Sequence, residues 1–258
     1  MEEPELCALT QYYWCVRYAP PKPGAIRFLK ETPMRLLLAA CLCLLPSSLL
    51  ADEGIRLFIL SGQSNMVGLK PEVSFTPAVK DAYAGEEVVV VKNASGGKPI
   101  RLWYKDWKAP EGKATAAFVP GSLYDSLMKD VNAATAGKKI KSVVFVWMQG
   151  ERDAREGLAS VYSASMQGLI KQLRTDLKRE DIPVVIGRLS DYQNGEKNWD
   201  DLRAAQAEAA DADPLTVLVD TDDLNGPKDG LHYNQEGYKE MGSRFAQAAI
   251  TLLNQEKK

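Results

Sequence analysis

Five short apolar runs constrain what this chain can fold into more than any other feature. They are Ile55–Ser61, Glu87–Lys92 (with valine at 88, 89, 90 and 91), Ser142–Trp147, Pro183–Leu189 and Leu215–Asp220. Near-continuous apolar runs of this length suit strands covered on both faces. Helical spacing fills the gaps between the later runs. Leu123, Leu127 and Val131 recur every four residues, and Val161–Leu177 carries Met166, Leu169, Ile170, Leu173 and Leu177. Leu202–Ala210 is alanine-rich, and Gln235–Leu253 carries Tyr238, Met241, Phe245, Ala249 and Leu252. Strands alternating with helices predict a three-layer α/β/α fold around a parallel, roughly five-stranded sheet. No linker or internal repeat interrupts 52–258, which reads as one domain.

The front of the chain reads differently. Residues 34–51, MRLLLAACLCLLPSSLLA, join a basic start, an apolar run from Leu36 to Leu45 and small residues before Asp52. This is the layout of a secretory signal peptide. The run is too short for a membrane span, which needs about 20 residues, so no stable span is expected. Lipid anchoring at Cys41 is the less favoured alternative. Residues 1–33, rich in proline and without period, are expected to be disordered and to lie upstream of a true start at Met34. The expected location is outside the cell or in the periplasm. All four cysteines precede residue 44, so the domain needs neither a disulfide nor a thiolate. A net charge of −2 carries no basic footprint for nucleic acid.

In parallel sheets ligands bind beyond the carboxyl ends of the strands, and four polar segments fall there. Ser61-Gly62-Gln63-Ser64-Asn65-Met66 follows the first run, and its serine can present both a hydroxyl and a backbone N–H. Asn93-Ala94-Ser95-Gly96-Gly97-Lys98 follows the second, where paired glycines let the backbone approach a ligand. Trp147-Met148-Gln149-Gly150-Glu151-Arg152-Asp153 follows the third. The side-chain amide of Gln149 can donate to an oxyanion, and Glu151 and Asp153 can hold the loop; the competing reading is a solvated helix start with acidic caps. Asp229-Gly230-Leu231-His232-Tyr233-Asn234 precedes the last helix, with Asn234 a suitable N-cap. An aspartate three residues before a histidine can accept its Nδ1–H and fix the tautomer. Serine needs an adjacent base at neutral pH, and His232 is the chain's single histidine.

Together these residues resemble the SGNH/GDSL-type hydrolases. They are most similar to the carbohydrate esterase branch of sialate O-acetylesterases and family 6 acetylxylan esterases, with its G-Q-S-N-M, G-G, W-x-Q-G-E-x-D and D-G-x-H segments in order. The resemblance implies an SGNH, flavodoxin-like fold, an acetylated carbohydrate substrate and no metal or organic cofactor. It implies Ser64 as nucleophile, His232 as general base and Asp229 as its partner. The oxyanion hole would be the N–H of Ser64, an N–H of Gly96 or Gly97, and Gln149, with Asn65 and Glu151 supporting the site.

Two other functions compete. A non-catalytic carbohydrate-binding protein would use Trp103, Tyr104 and Trp107 to stack on sugars, although core packing is their favoured role. A lipase or thioesterase of the wider superfamily would need an apolar acyl groove. The stretches Lys70–Glu86 and Lys105–Gly121 are expected to shape the pocket.

Overall fold

Valine, isoleucine and phenylalanine runs fit a pleated surface buried on both sides, and each of the five runs is a strand. β1 (Ile55–Gly62), β2 (Glu87–Ala94), β3 (Ile140–Met148), β4 (Val184–Gly187) and β5 (Thr216–Val219) form one sheet in the order β2-β1-β3-β4-β5. Every neighbouring pair is parallel. A computed structural model describes residues 54–114 and 117–255. The expected signal peptide 34–51, Cys41 and the segment 1–33 lie outside the described residues.

Side chains of a strand alternate between faces, and both faces of β1 find a core. Leu57 and Ile59, with Phe145, Trp147 and Ile186, pack under α3 (Ser122–Thr135), α5 (Ala159–Leu177) and α6 (Lys197–Asp211). Phe58 and Leu60, with Val144, Val146 and Val185, pack under α2 (Phe75–Ala82) and α7 (Gln235–Gln255). Two short helices complete the set: α1 (Ser64–Gly68) directly after β1, and α4 (Glu151–Arg155) directly after β3. Among the described residues no helix is long and apolar enough to cross a membrane.

Lys70–Glu86 belongs to the crossover from β1 to β2, which covers the sheet, while its Lys70 and Val73 line a cavity with Tyr238. Its α2 buries Phe75 and Val79 completely, with Phe75 edge-on to Phe58 at 5.7 Å.

The strand order reverses between β1 and β3, so the crevice of a doubly wound sheet opens where these two strands end. Gly62 and Met148, their last residues, are paired. A Cβ at Gly62 would stand 2.0 Å from the Met148 carbonyl oxygen, and its φ is +144°. Only glycine lets the two strand ends close up here, and this juxtaposition brings the segment of Ser64 beside that of Gln149 and Glu151.

Candidate active site

Ser64 opens α1 and is half-buried, and its chain neighbour Asn65 is 1% exposed. Asn65 is the junction of the site. Its Nδ2 donates to Glu151 Oε1 (3.0 Å) and to the Leu231 carbonyl (3.2 Å), and its Oδ1 accepts from Tyr238 OH (3.2 Å). The loops after β1 and β3 and the loop before α7 are therefore held together within one residue of both Ser64 and His232. Tyr238 reaches Asn65 only because residue 68 is glycine: a Cβ there would stand 2.2 Å from the Tyr238 ring.

The histidine–aspartate contact forms as its spacing predicts. His232 Nδ1 lies 2.8 Å from Asp229 Oδ2. Asp229 Oδ1 accepts from the backbone N–H of Leu231 (3.0 Å) and of His232 (2.8 Å). The bond to the His232 imidazole, helped by these backbone bonds, pulls the Asp229 carboxyl down to about 2, so it is ionised throughout the neutral range. The His232 side chain is 43% exposed, and no hydrogen bond among the described residues occupies its Nε2 or joins it to Ser64 Oγ. Catalytic hydrogen bonds are commonly loose before substrate arrives. Asn234 caps α7 by accepting the Gly237 N–H at 2.8 Å.

The two glycines separate. A Cβ on Gly96 would stand 3.8 Å from Ser64 Cβ, whereas one on Gly97 would meet nothing within 4 Å. Gly97, at φ +65°, makes the turn, and Gly96 is the neighbour of Ser64. Beside them a groove of about 380 Å³ is lined by Val67, Lys92, Asn93, Ser95 and Leu123, among others.

The residues after β3 are more deeply placed than a solvated helix start would be. Glu151 is 2% exposed and Asp153 1%: the competing reading is right that a helix starts here with both acids in its first turn, and wrong only in having them solvated. Gln149 is fully buried. Its Nε2 faces Asp153 Oδ2 (2.6 Å), the Lys98 carbonyl (3.1 Å) and Gln63 Oε1 (3.2 Å), and its Oε1 accepts from Tyr162 OH (3.2 Å). Two amide hydrogens meet three protein acceptors. As placed, Gln149 fastens the loops after β1, β2 and β3 together and has no hydrogen to spare for a ligand.

Burial raises the Glu151 carboxyl, while the Asn65 bond and the nearby His232 pull it back. Its Oε2 has no partner. Among the described residues no group of three or more His, Cys, Asp or Glu could hold a metal ion.

Trp103 is fully buried, donates to Ser61 Oγ at 2.9 Å and stands edge-on to Trp147 at 5.1 Å. Trp107 is 9% exposed, and Tyr104 packs against the core at Gly168. Trp103 and Trp107 are core residues, and Tyr104 is partly buried against that core.

A family model described as "Carbohydrate esterase, sialic acid-specific acetylesterase" matches residues 67–251. The chain belongs to this carbohydrate esterase family. The matched span holds Gly96, Gln149, Glu151, Asp229 and His232 and begins just after Ser64 and Asn65. Over 205 residues the esterase is 28% identical to an Arabidopsis thaliana protein named a probable carbohydrate esterase, covering 78% of this chain and 70% of that one. The crystal structure of an Arabidopsis thaliana protein superposes with a TM-score of 0.61 at 24% identity, over 77% of this chain and 98% of that one. A carbohydrate acetylesterase of Xanthomonas citri superposes with a TM-score of 0.59 at 19% identity, over 80% of this chain and 57% of that one. These likenesses show that the esterase shares their α/β fold.

Two supports of the esterase site escaped the sequence reading. Lys92 Nζ donates to the carbonyls of Met66 (3.3 Å), Val67 (3.0 Å) and Leu69 (2.6 Å), closing the carboxyl end of the helix that begins at Ser64. A cation ending a run of four valines was the available signal. Gln63 Oε1 also accepts the Arg152 N–H at 3.2 Å, a contact no local pattern announces.

Asp153 gives the esterase a pH-dependent stability. Desolvation raises its carboxyl to about 7, against the hydrogen bonds from Gln149 and the Ile100 N–H. Between about pH 4 and 7 the folded state then keeps a proton that the unfolded chain releases. Unfolding is thereby linked to proton loss, and stability falls as pH rises through this window, by about 1.4 kcal/mol per unit. Asp153→Asn removes the titration. Its urea-unfolding free energy should gain on the wild type by about that slope across the window. Parallel curves for the two proteins would show that Asp153 is ionised throughout.

Proposed function

We propose that this protein is a secreted serine esterase that removes O-acetyl groups from carbohydrates through an acyl-enzyme. The observation that carries the reading is the Asn65 bridge. It ties the chain neighbour of Ser64 to the chain neighbour of His232, while Asp229 holds the far side of the imidazole. Ser64 Oγ attacks the acetyl carbonyl carbon as its proton passes to His232 Nε2. The carbonyl π electrons move to oxygen, and the backbone N–H groups of Ser64 and Gly96 receive the charge. Preorganised donors of this kind are each worth about 10²–10³ in rate. Gln149 can join them only by releasing one of its longer contacts, to Lys98 or Gln63. Collapse of the intermediate breaks the bond to the sugar oxygen, which takes the proton from His232. Water, deprotonated by the same imidazole, then attacks the acetyl-serine and frees acetate. The signal-peptide-like sequence at 34–51 supports export, and the burial of Trp103 and Trp107 disfavours the binding-protein reading.

Two measurements test this together. A fluorophosphonate should label Ser64 stoichiometrically, and protein starting at Asp52 should release acetate from at least one member of a panel of acetylated xylans and O-acetylated sialic acids. Failure of labelling sinks the serine mechanism. Labelling with preference for long acyl chains over acetyl would move the protein to the lipases.

A further inference from the structure

With the tryptophans after the glycine pair buried, the aromatic surface at the catalytic mouth lies elsewhere. The large apolar side chains exposed among the described residues are Val67, Val73, Val119 and Tyr192, of which Tyr192 is the aromatic one. It lies in the short turn Asp191–Gln193 beyond β4, on the same carboxyl edge of the sheet as Ser64. Its ring borders the catalytic loop: a Cβ on Gly230, two residues before His232, would stand 3.1 Å from Tyr192 Cδ2. Gly230 also has φ +69°, so both its backbone and the ring beside it call for glycine.

The ring is held in place. Tyr192 packs edge-on against the buried Trp199, with centroids 5.6 Å apart and planes at 71°. Trp199 Nε1 is itself fixed to the Ser190 carbonyl at 2.7 Å. Asp191 Oδ1 accepts from Asn225 Nδ2 at 2.5 Å, and Asn225 bridges to Tyr233 just past His232. The turn that carries Tyr192 is thus stitched to the loop that carries the base. An exposed aromatic on a turn that is already fixed loses little further freedom when a ligand with an apolar face stacks on it. A pyranose ring has such a face on its C–H side. Ser64 follows β1 and Tyr192 follows β4, strands whose ends lie about 10 Å apart across β3, and the contact of the Tyr192 ring at Gly230 brings it to the loop of His232.

We propose that Tyr192 is a sugar-stacking platform that holds the pyranose ring of the substrate beside the catalytic loop, an assignment that rests on the carbohydrate esterase reading above. The test compares kcat/KM on an acetylated xylo-oligosaccharide with kcat/KM on ethyl acetate, which has no ring to stack. In Tyr192→Leu, which keeps apolar contact with Trp199 but loses the flat face, the sugar-to-ethyl-acetate ratio should fall about five- to tenfold, carried by KM. Tyr192→Trp should restore it. A ratio unmoved in Tyr192→Leu, whether both rates hold or both fall together, overturns the platform and leaves the esterase reading standing. If the wild type cleaves ethyl acetate but no acetylated sugar, the carbohydrate reading fails, and the platform with it.

Discussion

Ser64→Ala should fold and melt like the wild type while kcat for acetate release falls by about 10⁴- to 10⁶-fold. The two halves of this expectation have separate grounds. No hydrogen bond of Ser64 Oγ is found among the described residues, and the site is held by Asn65, Glu151, Tyr238 and Lys92 instead. Removing one hydroxyl from a half-buried position therefore costs the fold little. In the proposed mechanism the chemical loss is large because the acyl group loses the atom that carries it, and His232 is left to activate water at best. What survives should be the contribution of the N–H donors at residues 64 and 96, which the substitution leaves in place; such residues of catalysis amount to about 10³–10⁴ over the uncatalysed reaction. Fluorophosphonate labelling should vanish in the same variant. Turnover within tenfold of wild type, with the melting temperature unchanged, would remove Ser64 from the mechanism.

What could be read without coordinates follows from how local each signal is. Long periodic elements were legible: the five strands and α3, α5, α6 and α7 all lie where apolar spacing places them. α1 was not, because five residues hold too few apolar positions to define a period, and α4, equally short, showed only as a helix start marked by its acidic residues. α2 was hidden by Pro71 shortly before it and Pro77 inside its first turn. In the site, the Asp229–His232 pair was legible because three residues of loop suffice to bring the groups together. The meeting of Ser64 with Gly96 followed from parallel topology, which sends both to one edge. The saturation of Gln149 was not legible. Its three acceptors belong to residues 63, 98 and 153, and residue type alone tells nothing of whether an amide is spoken for. The same holds for aromatics: Trp103 and Tyr192 differ in burial, not in any local pattern.

Asp229→Asn should keep the loop and lose the reaction by about 10⁴-fold in kcat, and the hydrogen bonds say why the isosteric amide cannot escape this. The Asp229 carboxylate serves two sides at once, with Oδ1 accepting two backbone N–H groups and Oδ2 facing His232 Nδ1. An asparagine has one oxygen and one NH₂ for these places. With its oxygen toward the ring, NH₂ would face the N–H groups of Leu231 and His232 and strip both of their acceptor. With its oxygen toward the backbone the loop is preserved, but NH₂ now donates to Nδ1. The imidazole must then carry its proton on Nε2, the nitrogen that has to accept the Ser64 proton. The backbone thus selects the orientation that disables the base, and the variant should melt with the wild type. Because Asp229 in the wild type holds its charge down to about pH 2, its own protonation should add no limb to the wild-type pH–rate profile between pH 8 and pH 4. A variant within tenfold of wild type would hand the orienting role to Glu151, the buried carboxyl that already feels the charge of His232.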